Sequence, residues 1–274
     1  MSRRTRAAIA AACAATAVAA VSLPTHAAAA SKPTITASGS TSVAPLAFQL
    51  ARGYLRQHPG RVKFRIAQGG SDVGVADVGA GRVSIGMSSR DPKPSDPTGL
   101  VFNKIARDAV CVITNSANPI ANLSTAQIQA IFSGTVRDWS QVPGAGLTGT
   151  IDIVTRTPAS GTQDAFQKIF LGSKTVSSTA SAKASNGLVQ QAVKSDRNAV
   201  GYVSLDFVRD VHAAAYNGVA CDLRNAKSGA YGGVRNFWMV TRGPATGPVR
   251  TFINWVQNSS RAQAIVGTHW VPLR

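Results

Sequence analysis

Short runs of apolar and β-branched residues alternate along the chain with segments whose apolar residues recur at helical spacing. The runs predict seven strands, at Thr34–Ala37, Val62–Ala67, Val83–Met87, Ala109–Thr114, Ile151–Thr155, Ala199–Val203 and Phe237–Thr241. The helical spacing predicts four amphipathic helices, around Leu46, Ile128, Phe166 and Phe252. Because strands that alternate with helices form mainly parallel sheets, the pattern predicts an α/β fold.

The first thirty residues follow a different pattern. Three arginines within the first six residues precede an apolar run from Ala7 to Leu23, and small residues follow up to Ala30. This order predicts a signal peptide over residues 1–30, cleaved near Ala30, and therefore a secreted or cell-envelope, extracytoplasmic protein. An uncleaved membrane anchor is the alternative, although the run is slightly short for a span of about 20 residues.

The remaining 244 residues are enough for one large domain or for two lobes of ordinary size. They contain two cysteines, Cys111 and Cys221. Export permits a disulfide between them, and two separate buried thiols are the alternative.

The charge of the chain narrows the class of partner. Without the three arginines of the signal, 26 basic residues stand against 12 acidic ones, a net charge of +14, and every acidic residue is aspartate. Such a charge fits an anionic partner, whether a small oxyanion, a wall polymer, a lipid surface or a nucleic acid. The basic residues are scattered singly without interleaved aromatics, which argues against nucleic-acid binding.

Three predicted helices begin with small, hydroxyl-bearing, glycine-containing segments: Ser38–Ser42, Gln68–Ser71 and Ser160–Thr162. Helix starts of this kind bind anions because their free N–H groups and the helix dipole both point at the ligand. Arg156, four residues before the third segment, can add a bidentate, charge-assisted contact to an oxyanion. The alternative is that each segment is an ordinary N-cap.

Several of these segments also carry a family resemblance. They are Ser38–Leu46, Ile85–Arg90, Asn122–Ser124, Ile131–Gly134 with Trp139, and Arg156 with Ser160–Thr162. In this order they resemble the PstS-like family, the periplasmic phosphate-binding proteins of ABC phosphate transporters. The likeness extends from about Ile35 to past Trp255, nearly the whole chain after the signal.

The resemblance implies a type 2 periplasmic-binding-protein fold, with two α/β lobes, two crossover strands and a ligand cleft between the lobes. The crossovers are expected near Val110–Asn115 and Phe237–Thr241. Lobe 1 is then discontinuous and comprises residues 31–112 and 240–274, and lobe 2 comprises residues 113–239.

The resemblance further implies a phosphate-binding set drawn from both lobes. Thr41, Ser42, Ser71 and Ser89 are expected to donate from lobe 1, and Arg156, Ser160, Gly161 and Thr162 are expected to close over the ligand from lobe 2.

Selection of phosphate over sulfate needs a further group. Phosphate keeps a proton at neutral pH and sulfate has none, so an acceptor-only carboxylate selects phosphate. Some family members have aspartate where this chain has Ser89, which leaves Asp108 as the candidate, with a loop cap as its alternative role. Ala109 replaces the glycine that usually follows this aspartate, and Pro158 stands where an acidic partner of the arginine often lies. These departures concern affinity and selectivity more than the fold.

The function expected from these features is capture of inorganic phosphate by hinge closure and its delivery to the permease and ATPase of an ABC transporter. The protein is expected to be a non-catalytic monomer that needs no cofactor or metal and binds no nucleic acid.

Three alternatives remain open at this point. The same fold can bind another oxyanion, such as sulfate or molybdate, because hydroxyl and N–H donors serve all of them. A secreted phosphatase or other hydrolase is disfavoured, because His58, His212 and His269 lie in no catalytic motif and no G-x-S-x-G elbow occurs. An adhesive wall protein would use the +14 charge and has no motif of its own.

Overall fold

The computed structural model describes residues 31–274, and Lys32–Arg274 form a compact unit of their own. The predicted signal peptide lies outside the described residues. Within residues 31–274, no helix combines the length and apolar character that a membrane crossing requires.

The described residues form eleven strands. They are β1 (Thr34–Gly39), β2 (Lys63–Ile66), β3 (Ile85–Ser88), β4 (Leu100–Thr114), β5 (Asn122–Leu123), β6 (Asp152–Arg156), β7 (Ser181–Lys183), β8 (Ala199–Ser204), β9 (His212–Ala213), β10 (Ala215–Tyr216) and β11 (Val234–Arg242). All seven predicted strands are present, but β4 begins nine residues before the predicted start at Ala109. The strands that sequence patterns missed have only two or three residues each.

Eight α-helices connect and cover the strands in the same part of the chain. They are α1 (Val43–Gln57), α2 (Ser71–Gly79), α3 (Thr125–Phe132), α4 (Gly161–Phe166), α5 (Asn186–Ser195), α6 (Leu223–Ser228), α7 (Gly247–Asn258) and α8 (Ser260–Val266). The four predicted amphipathic helices correspond to α1, α3, α4 and α7. Helix α3 begins with the expected capping box, in which Ser124 and Gln127 bond each other's backbone N–H groups.

One continuous sheet runs through the molecule in the order β2-β1-β3-β11-β4-β8-β6-β7, with β9 added beside β4. Both flanks are parallel, as expected, since β1 pairs in parallel with β2 and β3, and β6 does so with β7 and β8. The centre is antiparallel, because β11 and β4 cross it in opposite directions. These two strands are the crossover strands that the resemblance implied.

Strand β4 changes partner in the middle. Its residues Leu100–Ala109 pair with β11, and Val110–Thr114 pair with β8. We call the half with β1–β3, α1, α2, α7 and α8 lobe 1, and the half with β6–β8 and α3–α6 lobe 2. The exact lobe boundaries derived from the sequence fall within β4 and β11 and stay a prediction.

Each lobe has its own apolar core. In lobe 1, α1, α7 and α8 cover one face of the sheet around Leu50, Met87 and Phe252, and α2 covers the other face through Val75 and Val78. In lobe 2, two clusters lie on β8, one containing Phe132, Trp139, Phe166 and Tyr202 and the other containing Val189 and Val203. Two separate cores joined by two strands are the arrangement that a hinge requires.

A disulfide joins Cys111 in β4 to Cys221 in the segment before α6. Of the two possibilities left open by the sequence, the structure therefore contains the disulfide. It closes a loop of about 110 residues within lobe 2 and fixes that lobe to the crossover strand.

Candidate functional site

The first turns of four helices contribute buried polar side chains to one region between the lobes. Helices α1 and α2 bring Ser42 and Ser71 from lobe 1, and α4 and α5 bring Thr162 and Asn186 from lobe 2. The sequence predicted the first three of these starts. It missed the fourth because α5 is largely polar and was not predicted as a helix.

The lobe 1 side of the site is a group of hydroxyls that bond one another. Ser40 Oγ donates to Ser89 Oγ at 2.9 Å, and the Oγ atoms of Ser71 and Ser89 are 3.3 Å apart. The backbone N–H of Ser89 donates to Ser71 Oγ at 3.0 Å. Ser40 was not among the predicted site residues, although it belongs to the predicted segment Ser38–Ser42.

The lobe 2 side begins with α4, whose N-cap is the predicted Ser160. Its Oγ accepts bonds from the N–H groups of Thr162 and Gln163. Thr162 Oγ1 lies 3.0 Å from Ser42 Oγ and so contacts lobe 1 directly.

Gly161 lies at a close approach of the two lobes. A Cβ atom on this residue would collide with Ser71 Oγ and would lie 2.7 Å from Ser89 Oγ. Only glycine therefore allows this approach of the backbone. Gly161 and Thr162 thus meet Ser42, Ser71 and Ser89, three of the four lobe 1 residues predicted for the site.

Arg156 ends β6 and reaches across to lobe 1. Its Nη2 donates to Thr41 Oγ1 at 3.2 Å and to the carbonyl of Ala184 at 3.0 Å, and its Nε donates to the carbonyl of Lys183. Its Nη1 is buried and has no hydrogen-bond partner among the described residues. The same residues provide no carboxylate ion pair for this guanidinium, which is only 3% exposed.

Burial lowers the pKa of Arg156 to about 10. Tyr202 opposes this change, and the neighbouring charge of Arg235 adds to it. Arg156 and Arg235 bond the neighbouring residues Thr41 and Ser42, so their like charges repel each other within the site.

Arg235, in β11, is a site residue that sequence reasoning missed. Its Nη2 donates to Ser42 Oγ at 2.9 Å and also to Asp108 Oδ2 at 2.9 Å, and its Nε donates to the same carboxylate oxygen. Its Nη1, like that of Arg156, is buried without a partner in the described part of the chain. The predicted strand Phe237–Thr241 begins two residues after Arg235, so no sequence pattern indicated this residue.

Asn186 joins the hydroxyls of lobe 1 to the backbone of lobe 2. Its Nδ2 donates to Thr41 Oγ1 at 3.0 Å and to Ser42 Oγ at 2.8 Å, and its Oδ1 accepts from the N–H of Ser204. Sequence reasoning missed Asn186 too, because it follows an unpredicted helix start.

Asp108 lies beside the site, fully buried in β4. Burial raises the pKa of Asp108, whereas the charge and hydrogen bonds of Arg235 lower it. Its Oδ2 accepts from Arg235, and its Oδ1 accepts from Ser204 Oγ at 2.9 Å. Three of the roughly four acceptor positions of the carboxylate are thus engaged by protein donors. Whether Asp108 also accepts a proton from a ligand stays a prediction.

The histidines of the described residues make contacts elsewhere. His212 Nε2 bonds the carbonyl of Ile120, His269 pairs with Asp206, and His58 packs on Tyr54 at the end of α1. What the site assembles is two buried cations, one carboxylate, hydroxyls and helix starts. Its chemistry is that of an anion receptor.

Comparison with known proteins agrees with this geometry. Residues 24–260 match the profile of the PBP superfamily domain. A solved structure from Clostridium perfringens, a putative phosphate ABC transporter substrate-binding protein with bound phosphate, is 30% identical. It superposes with a TM-score of 0.82 over 88% of this chain and 100% of that one. The chain belongs to the PBP superfamily, in its PstS-like family.

Other PstS-like proteins are similar over most of their length. The phosphate-binding protein PstS of Bacillus subtilis (strain 168) is 26% identical over 236 residues, which cover 84% of this chain and 77% of the relative. An ABC-type phosphate transport receptor from Vibrio cholerae is 28% identical, with a TM-score of 0.70 over 86% of this chain and 99% of that one. The resemblance found in the sequence and the two-lobed fold that it implied are both confirmed.

Proposed function

We propose that this protein captures inorganic phosphate between its lobes and presents it to an ABC transporter, without converting it chemically. The observation that carries the proposal is Arg156, a buried guanidinium that has no carboxylate partner among the described residues and lies among hydroxyl donors from both lobes.

The cost of burying Arg156 is the physical basis of the argument. An ionised group that leaves water loses several kcal/mol of solvation, which an opposite charge at short range can offset. A bound oxyanion would offset it and would accept bonds from the Nη1 atoms of Arg156 and Arg235. The carboxylate of Asp108 offsets the charge of Arg235 alone.

The relatives support phosphate as the anion. The Clostridium perfringens structure contains bound phosphate, and both it and the Vibrio cholerae structure are described as components of phosphate ABC transport. The Bacillus subtilis relative is called a phosphate-binding protein. We infer the same ligand here, with Thr41, Ser42, Ser71, Ser89, Arg156, Ser160, Gly161 and Thr162 as its binding residues, and Arg235 and Asn186 added to them.

Capture would proceed by closure about the crossover strands β4 and β11. The closed arrangement is held by bonds from lobe 2 to lobe 1, including Arg156 to Thr41 and Thr162 to Ser42. The N–H of Asp72, in the first turn of α2, also donates to the carbonyl of Ala159, just before α4, at 3.1 Å. Opening would break these bonds together and expose both halves of the site to solvent.

In this proposal the protein works outside the cytoplasm, as a monomer, and the closed form is recognised by a permease with its ATPase. Its family and the predicted signal peptide support the location. The absence of chemistry is supported by family membership and by the contacts that occupy the three histidines elsewhere.

The proposal is tested by isothermal titration of the protein comprising residues 31–274, after bound phosphate has been removed. Within it, Lys32–Arg274 form a compact unit with its own cores. We expect one phosphate per chain and an affinity reduced about 10²- to 10³-fold in Arg156→Ala, as for loss of a buried charge-assisted contact. The control is Arg197→Ala, an exposed arginine of lobe 2, which should bind as the wild type does. No heat with phosphate, sulfate or molybdate would refute the proposal.

A second candidate, a receptor for another tetrahedral oxyanion, is favoured by one specific observation. Because Arg235 and Ser204 occupy most of the acceptor positions of Asp108, little remains to accept the proton of phosphate. If no protein group accepts a hydrogen bond from that proton, phosphate affinity should rise from about pH 6 to about pH 8, as phosphate loses its second proton. Sulfate should then compete with phosphate for the site. Constant phosphate affinity over this range with no binding of sulfate would exclude the second candidate.

A further inference from the structure

The N-terminal part of lobe 1 is basic and has no acidic residue. Residues 31–71 contain no aspartate or glutamate but six basic residues: Lys32, Arg52, Arg56, Arg61, Lys63 and Arg65. All six are exposed, and within residues 31–274 none of them forms an ion pair. Asp72 and Asp77 follow in α2, but Arg90 bonds the first, and Ser38 and Arg82 bond the second.

These six residues form a band around the edge of the sheet. Arg52 and Arg56 lie four residues apart on the solvent side of α1, about 6 Å along its axis. Strand β2 is the last strand of the sheet on this side, and its Phe64 and Ile66 pack into the core beneath α1. Because side chains alternate along a strand, Lys63 and Arg65 face the opposite side of the sheet.

The remaining two cations lie at the turn between α1 and β2, between the cations of the helix and those of the strand. Arg61 lies in this turn, and the side chain of Lys32 lies against Gly60, with Nζ 3.5 Å from the position of a Cβ there. The cations therefore continue from the outer face of α1, around the turn, to the back of β2. We call these six residues the edge band.

Protection of an edge strand explains only part of this band. Charged side chains on β2 discourage pairing with another chain, which accounts for Lys63 and Arg65. It does not account for Arg52 and Arg56, which lie on a helix, or for the lack of any carboxylate in residues 31–71. An anionic partner accounts for all of these features.

We propose that the edge band binds a flexible linear polyanion, such as a polymer with phosphate groups along its backbone. The cations lie on two opposite faces and the edge between them, so a flat anionic bilayer could reach only some of them at once. A flexible chain can follow the band around the edge and contact them in turn. Release of the counterions of that chain then supplies the binding free energy, as in other associations with polyanions.

The edge band and the proposed phosphate site differ in burial, because the six cations are exposed and the side chains of the site are buried, and the α1 part of the band is also distant from the site. Ser42 precedes α1 at the site, whereas Arg56 lies 14 residues further along, roughly 21 Å away at 1.5 Å per residue. Binding of a polymer at the band would leave the cleft free to open and close. Polymer binding at the edge band can therefore be tested independently of phosphate capture.

The test compares two variants with the same change of charge. The band variant is Arg52→Gln/Arg56→Gln/Lys63→Gln/Arg65→Gln. The control is Lys174→Gln/Arg197→Gln/Arg209→Gln/Arg224→Gln, four exposed residues of lobe 2 that form no ion pair in the described structure. Binding of fluorescently labelled inorganic polyphosphate is measured by anisotropy over a series of NaCl concentrations, with circular dichroism to verify folding.

We expect the band variant to lose at least about 10-fold in affinity for polyphosphate, and the slope of log K against log salt to fall by about 3, as for four lost contacts. The control should change the slope by less than about 1. Equal losses in the two variants would show that only net charge matters and would overturn the inference. Tighter binding of anionic phospholipid vesicles than of polyphosphate would overturn it in favour of a membrane. Phosphate titration of the band variant should match the wild type, which keeps this test apart from that of the capture site.

Discussion

The two halves of the candidate site are built from different chemistry. Lobe 1 presents only neutral groups, the hydroxyls and N–H groups around Thr41, Ser42, Ser71 and Ser89. Lobe 2 and the crossover strands present the charges, in Arg156, Arg235 and Asp108. Hydroxyls both donate and accept, so the lobe 1 half can satisfy its own hydrogen bonds. Guanidinium groups only donate, and Asp108 and the lobe 2 carbonyls leave the Nη1 atoms of Arg156 and Arg235 without an acceptor. The charged half therefore requires one more acceptor, from outside itself.

This difference suggests that one half of the site determines the affinity for the anion and the other half determines the geometric fit. Charge-assisted bonds are about twice as strong as neutral ones, so most of the affinity for an anion should depend on the charged half. The hydroxyl half should determine the fit and the closeness of the lobes, since hydroxyls can rotate to suit the ligand. Four experiments test this division, beyond the removal of Arg156.

The largest effect is expected from Asp108→Asn, measured on stability rather than on binding. This change removes the carboxylate that compensates Arg235 and leaves a buried charge unpaired, which costs about 3–5 kcal/mol. Urea unfolding at neutral pH should give this loss. Asp210→Asn, which breaks an exposed pair with Lys194, is the matched control and should leave the midpoint unchanged. A stable Asp108→Asn protein would mean that the Asp108–Arg235 pair contributes little to folding.

Gly161→Ala should produce the next largest effect, on closure. The added Cβ would meet Ser71 and Ser89, and steric overlap in a packed region costs about 1–3 kcal/mol. Phosphate affinity should fall by about 5- to 150-fold. X-ray scattering should show a more open protein at saturating phosphate.

Gly187→Ala is the control for that substitution. Gly187 also lies in the first turn of a lobe 2 helix, but the nearest atom to its added Cβ is Ser185 Oγ at 3.9 Å. Affinity should therefore stay unchanged. An equal loss in both variants would indicate a general effect on lobe 2 instead of a clash between the lobes.

Much of this arrangement could be predicted from local patterns, and the exceptions have a common cause. The capping box of Ser124 and the strand β6 that ends at Arg156 depend on neighbouring residues, so the sequence indicated both. Arg235, Asn186 and Ser204 join the site only through strand pairing and the approach of the lobes. No spacing along the chain indicates a contact between residues 235 and 42.

Asp108 is a predicted site residue whose partner local sequence patterns did not indicate. The sequence indicated a carboxylate beside the site but not the arginine that occupies it, because Asp108 and Arg235 are 127 residues apart and meet as partners in the β4–β11 ladder. The disulfide also depended on tertiary structure, since two cysteines 110 residues apart carry no information on their distance in space.

A smaller loss of affinity is expected from Thr41→Val, which tests the neutral half alone. The substitution keeps the shape of the side chain and leaves Nη2 of Arg156 and Nδ2 of Asn186 with one acceptor fewer. An unsatisfied buried donor costs about 1–3 kcal/mol, and the ligand can compensate in part, so we expect a loss of about 10-fold by titration. Thr251→Val, on the exposed side of α7, is the control. A loss as large as that in Arg156→Ala would contradict the division between the two halves.

The smallest effect concerns the rim of the cleft, where Lys93 of lobe 1 lies 3.1 Å from Asp164 of lobe 2. Both side chains are partly exposed, and each has a second partner, Asp72 and Lys168 respectively. A double-mutant cycle with Lys93→Met and Asp164→Asn, measured on phosphate affinity, should therefore give a coupling of only about 0.2–1 kcal/mol.

Because this pair joins the lobes only when they are closed, its loss should increase the rate of phosphate release more than it changes the rate of binding. The coupling should also weaken at about 1 M NaCl, where the Debye length is about 3 Å, close to the separation of this pair. The bond between Arg156 and Thr41 is shielded from solvent and should persist at this salt concentration. Undiminished coupling between Lys93 and Asp164 at high salt would mean that charges at the rim stabilise closure as the buried charges do.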